Sequence, residues 1–145
     1  FERISSAIKG AVMVVAINKQ NEVALVREYA VGSEQYELTL PKGAIEYDED
    51  IIEAGNRELA EEIGLAAKQL DLISTLKIAP AYFKFETWVV VAQDLYSKKL
   101  AGDEPEDLEV IWHSLDELDS LLTRNDFSEA RSIAALFLAK QYLKN

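Results

Sequence analysis

"GAIEYDEDIIEAGNRELAEEIGL", Gly43 to Leu65, combines a dense run of carboxylates with the apolar spacing of a helix. Ile51, Ile52, Leu59 and Ile63 mark one apolar stripe, and Gly64 stands where a helix would stop. On such a helix Glu58 and Glu62 are i and i+4, so both carboxylates project from one face about a turn apart. Glu61 is three residues from Glu58 and neighbours both. Repulsion between solvated like charges at this spacing costs about 0.2–0.5 kcal/mol per pair, so a plain surface face is affordable. The same oxygen cluster suits a hard divalent cation, and the helix alone does not choose between the two.

Working outward, "GAVMVVAI" (Gly10–Ile17) and "EVALVREYA" (Glu22–Ala30) are β-branched runs around the turn-like "NKQN", the pattern of a hairpin. "YELTLPKG" (Tyr36–Gly43) alternates and breaks at Pro41, reading as a strand that runs into a loop. "DLISTLKIA" (Asp71–Ala79), "FETWVVVAQDL" (Phe85–Leu95) and "LEVIWH" (Leu108–His113) are strand-like. Ser114 and Glu117 have capping-box spacing ahead of a helix, and Ser128–Leu143 is an Ala- and Leu-rich helix. Interleaved strands and helices predict an α/β fold, a sandwich with a mixed β-sheet.

The 145 residues suit one domain with its own core. With 49% hydrophobic and 28% charged residues the chain is globular in composition. There is no cysteine, which excludes disulfides and thiolate chemistry and fits a reducing cytoplasm. No apolar run approaches the roughly 20 residues of a membrane span, and no signal peptide is visible. A net charge of −11 argues against nucleic acid as a partner, although bound cations would still admit a small anionic substrate.

A resemblance carried by the residues around the helix bears on that choice. Gly43, Glu49, Arg57-Glu58-Leu59, Glu61-Glu62 and Gly64-Leu65 occupy every fixed position of G-x5-E-x7-R-E-U-x-E-E-x-G-U, with U a bulky apolar residue. The chain thereby resembles the Nudix hydrolases. Asp48 stands where many members carry glycine, a variable position that bears on loop shape. Pro80, fifteen residues past Leu65, resembles the marker of the ADP-ribose pyrophosphatase group. "VREYAVGSEQYEL", "APAYF", "VVAQDLY", "GDEPE" and "EARSIAALFL" look like its ADP compounds hydrolase branch.

The resemblance implies a Nudix α/β/α sandwich over residues 1–145, a single domain whose N-terminal strands are expected to be truncated. It implies Mg²⁺ or Mn²⁺ held by Glu58 and Glu62, with Glu61 as accessory ligand and the backbone carbonyl of Lys42 as another. Arg57 and Glu49 would pair to hold the motif in shape, and Gly43 would permit a tight turn. In "GDEPED", Glu104 would be the general base and Glu106 would reach a metal, with the two roles exchangeable and Glu61 the next candidate base. The substrate side would draw on Arg27, Lys42, Pro80, Tyr82, Phe83 and Arg131. Many relatives carry an Arg where this chain has Ala30, and Arg27 would do part of that phosphate-binding work. Arg131 stands equally well as a salt-bridge partner or a phosphate contact.

The implied activity is hydrolysis of the diphosphate of ADP-ribose and related ADP compounds, giving AMP and, from ADP-ribose, ribose 5-phosphate. The implied assembly is a homodimer. Alternatives are NADH or dinucleoside polyphosphates as main substrate, the latter suggested by Tyr82, or a non-catalytic nucleotide-sensing module. His113, the lone histidine, reads as a surface residue, and Trp88 and Trp112 as packing.

Overall fold

A computed structural model describes residues 8–99 and 108–144. Strands β1 (Ile8–Ala16), β2 (Glu22–Ala30), β3 (Gln35–Thr39) and β4 (Lys42–Glu46) precede helix α1 (Ile51–Ile63). Then come β5 (Leu65–Lys77), β6 (Glu86–Ser97), β7 (Glu109–Ser114), α2 (Leu118–Leu122) and α3 (Ala130–Leu143). A mixed four-stranded sheet has the order β4-β1-β6-β5, with β1 and β6 parallel, and a three-stranded sheet has the order β3-β2-β7. This is the mixed α/β sandwich expected from the sequence.

The apolar run in β1 is explained by burial on both faces. Met13 and Val15 join Val89 and Val91 of β6 in a core closed by Leu136 and Ala139 of α3. Val12, Val14 and Ala16 join Val90 and Ala92 in a second core closed by Ala54 and Leu59 of α1. Two helices therefore sandwich one layer of strands, and each alternate residue of β1 meets a different helix.

The expected hairpin of β1 and β2 does not form. The turn itself is present: Asn18 Oδ1 accepts from the amides of Gln20 and Glu22. Beyond a single bridge between Ile17 and Val23, however, the two strands enter different sheets. A strand has two hydrogen-bonding edges, and β1 gives one to β4 and the other to β6. Nor does the chain after Pro41 run into a loop, because Lys42–Glu46 returns as a strand against β1. Strand β5 starts at once after Gly64 and stops at Lys77, so Ile78 and Ala79 belong to a turn.

Ser114 does cap, its hydroxyl accepting from the Asp116 amide, but it opens a 3₁₀ turn over Leu115–Glu117 before the short α2. Helix α3 starts at Ala130, with the Glu129 carboxylate rather than Ser128 accepting from the amides of Arg131 and Ser132. His113 sits half-buried near the end of β7, with Nε2 near the Glu117 carbonyl and the Ser120 hydroxyl. Trp88 and Trp112 are partly buried against the α1-side core, as packing residues.

Candidate active site

Helix α1 is pinned at both ends. Asp50 caps its start by accepting from the amides of Ile52 and Glu53. Gly64 ends it at φ 72°, a left-handed conformation that glycine adopts without penalty. Between these limits Leu59 and Ala54 face the core, which turns Glu58 and Glu62 toward β4.

There they line a cleft of about 350 Å³ together with Ala11 of β1, Glu28 of β2, Lys42 and Gly43 of β4, and Arg131 of α3. Five elements thus converge on one opening. Two of its walls are acidic and two carry cations.

Gly43 does not make the tight turn expected of it. It lies inside β4, opposite Val12 of β1, in a regular antiparallel ladder. Its requirement is steric: a Cβ on Gly43 would collide with the carboxylate of Glu58. The bare backbone lets Glu58 settle directly on the strand.

Arg57 holds the acidic wall together. Its Nε and Nη2 form a two-pronged pair with Glu49, at 2.7 and 2.9 Å. The remaining donors reach Glu58 at 3.0 Å, Glu61 at 3.3 Å and the Ala44 carbonyl at 3.1 Å. Its pKa is raised above the ordinary arginine value, first by the hydrogen bond to Glu49 and further by the charges of Glu58 and Glu49, against the opposing effect of burial. One guanidinium therefore ties α1 to the segment after β4 and partly neutralises the carboxylates beside the cleft. Glu61 faces this guanidinium and is not among the cleft-lining residues.

The other sequence candidates divide. Lys42 lines the cleft, with Nζ 3.3 Å from Thr39 Oγ1 and 3.6 Å from Glu28 Oε1. Arg131 lines it from the opposite helix, bonded to Glu129 and Thr87. Arg27 does not line it: Nη1 is 2.8 Å from Asp126 Oδ2, and the guanidinium lies over the Tyr36 ring at 5.9 Å. Pro80, Tyr82 and Phe83 sit in the exposed β5–β6 connection, outside the cleft lining, with Tyr82 edge-on to Phe83. Glu104 and Glu106 lie outside the described residues. Glu28, Thr87, Glu129 and Ser132 were not singled out from the sequence.

The donor set suits a hard divalent cation. Among the described residues no group of three or more His, Asp or Glu side chains stands together as a complete cage. Two carboxylates one turn apart, opening on a cleft with cations opposite, instead suit an ion such as Mg²⁺ that keeps waters and takes further oxygens from phosphate.

A NUDIX domain model matches residues 8–136. The chain belongs to the NUDIX family. Within it, the chain is 46% identical over 144 residues to the ADP compounds hydrolase NudE of Escherichia coli, an alignment covering 99% of this chain and 77% of that protein. It is 28% identical over 137 residues to the ADP-ribose pyrophosphatase of Bacillus subtilis, covering 93% of this chain and 72% of that one. A crystal structure of an ADP compounds hydrolase superposes with a TM-score of 0.89 at 47% identity, over 93% of this chain and 72% of that chain. The segment Gly43–Leu65 thus runs from β4 through the helix that forms the acidic wall of the cleft.

Proposed function

We propose that the chain is a single NUDIX hydrolase domain that cleaves the diphosphate linkage of ADP-ribose and related ADP compounds, releasing AMP and a phosphorylated product. The observation that carries this reading is the pairing of Glu58 and Glu62 with Lys42 and Arg131 around one cleft. Carboxylates there attract a divalent cation, and the opposing cations attract the diphosphate. The names of the relatives support the substrate class.

In this reading Glu58 and Glu62 hold Mg²⁺, with the Lys42 carbonyl as a further donor and Glu61 as accessory. Bound there, the ion polarises phosphoryl oxygen and lowers the pKa of the attacking water. Lys42 and Arg131 orient the diphosphate, and Tyr82 and Phe83 offer aromatic faces to the base. Glu104 takes the proton from the water, with Glu106 close to the cation. The enzyme works as a homodimer in the cytoplasm. Among the described residues no helix is long and apolar enough to cross a membrane.

The test is AMP release from ADP-ribose, NADH and diadenosine polyphosphates, each with Mg²⁺ or Mn²⁺ and with a chelator. AMP and ribose 5-phosphate from ADP-ribose in Mg²⁺, abolished by chelation, are expected. Nucleotide binding without turnover of any member of the panel would overturn the hydrolase reading in favour of a sensing module. Light scattering at micromolar concentration checks the dimer, and a fully active monomer would exclude it.

A further inference from the structure

Around the cleft, most cations are already engaged. Arg57 gives its donors to Glu49, Glu58, Glu61 and Ala44, Arg27 faces Asp126, and Lys42 leans on Glu28. Arg131 differs. Of the five N–H donors of a guanidinium, Nε bonds to Glu129 Oε2 at 2.9 Å and Nη1 to Thr87 Oγ1 at 3.2 Å, while Nη2 has no partner among the described residues. Its side chain is only 18% exposed, yet it lines the cleft. A guanidinium this enclosed, with donors left over and facing an opening, is arranged for an anionic oxygen.

What aims it is equally specific. Glu129 divides its carboxylate between two tasks. Oε2 holds the side chain and amide of Arg131, whereas Oε1 accepts from the amide and the hydroxyl of Ser132. The fully buried Ser132 hydroxyl in turn accepts from the Leu40 amide at 3.1 Å. Leu40 is two residues ahead of Lys42, where β4 enters the cleft. Thr87, also fully buried, holds the second edge of the guanidinium from β6. Burial raises the Glu129 pKa, but its bonds to Arg131 and Ser132 outweigh that effect and leave it lowered, so the carboxylate is ionised at neutral pH.

We propose that Glu129 is a positioning residue of the active site: with Thr87 it aims Arg131 at a non-bridging oxygen of the substrate diphosphate, and through Ser132 it sets the spacing between that guanidinium and the strand carrying Lys42 and Gly43. The inference deepens the hydrolase reading and rests on it for the identity of the anion. Glu129 itself touches no substrate. Its effect passes through Arg131.

A double-mutant cycle separates this role from mere support of the helix. Glu129→Gln keeps the shape of the cap, Thr87→Val removes only a hydroxyl partner, and Arg131→Gln removes the guanidinium. Each is assayed for kcat and KM on ADP-ribose, and for equilibrium affinity toward ADP by calorimetry. Loss of a charged hydrogen bond corresponds to roughly a tenfold change. Glu129→Gln and Thr87→Val should each raise KM and weaken ADP binding by about that factor, with kcat within about threefold, as for an interaction made before the transition state. In the Arg131→Gln background either substitution should add less than about twofold. Undiminished effects in that background would overturn the proposal, as would parental KM and ADP affinity in both single variants. Should Glu129→Gln fail to fold, Thr87→Val in the two backgrounds decides the matter. Should the parent bind ADP with this pattern and hydrolyse none of the nucleotides, the hydrolase reading falls while the positioning role stands.

Discussion

The carboxylate of Glu58 rests against the bare backbone of Gly43, in space that the Cβ of any other residue would occupy. The contact joins α1 to β4 at the mouth of the cleft. Because the clashing atoms are the far end of a flexible side chain, Gly43→Ala should leave the fold and the circular dichroism spectrum unchanged while displacing Glu58. A ligand misplaced by about 1 Å costs on the order of 100-fold in rate. Activity within a few-fold of the parent would show that Glu58 need not sit on the strand.

Glu62→Gln tests the second carboxylate. Glutamine preserves size and removes the charge that holds a hard cation. Turnover should fall by about 100-fold or more, with an unaltered melting curve. Near-normal turnover at saturating Mg²⁺ would remove Glu62 from the ligand set.

Arg57→Lys tests the clamp. An ammonium offers a point charge and has no fork with which to span both oxygens of Glu49 and reach the Ala44 carbonyl. Charged hydrogen bonds contribute about 1.5–3 kcal/mol each, and lysine retains part of that. A loss of about 1–3 kcal/mol in denaturant unfolding is expected, with a weaker apparent affinity for Mg²⁺. An unchanged midpoint would mean that the fork contributes nothing beyond its charge.

Asp126 links stability to pH. Its carboxyl is lowered from 3.8 to about 2, first by the Arg124 hydrogen bond and then by the Arg124 charge and by Arg27, with burial opposing. A folded pKa below the unfolded value means stability that is fully present above about pH 4 and is lost as pH falls toward about 2. Asp126→Asn should flatten that part of the acid-unfolding curve and lower neutral stability by about 1–2 kcal/mol. A parental curve in the variant would place the acid sensitivity elsewhere.

The acidic segment Gly102–Asp107 supplies the proposed base. Glu104→Gln should lower kcat by about 100-fold or more with little change in KM, as expected when a general base is removed. Glu106→Gln should also weaken the apparent affinity for Mg²⁺. If both variants keep kcat within a few-fold of the parent, Glu61 becomes the next base to test.

Helix α1 and its acidic face were legible in the sequence by itself. A helix repeats locally, so the spacing of Ile51, Ile52, Leu59 and Ile63 set its buried face and the i, i+4 spacing set Glu58 and Glu62 together. The Arg57–Glu49 pair likewise followed from nine matched positions within one short segment. Strand pairing carries no such local record. The "NKQN" turn looks the same whether its strands pair or part, and only the competition of β4 and β6 for the edges of β1 sent β2 into another sheet. Gly43 read as a turn residue because its neighbour in space, Glu58, is fifteen positions away. The sequence leaves Arg131 open between ion pair and phosphate contact, and it carries no trace of Thr87, 44 residues distant, which tertiary structure sets against a second edge of the guanidinium. Contacts of that range depend on how layers pack, and they decided where the cations of the cleft point.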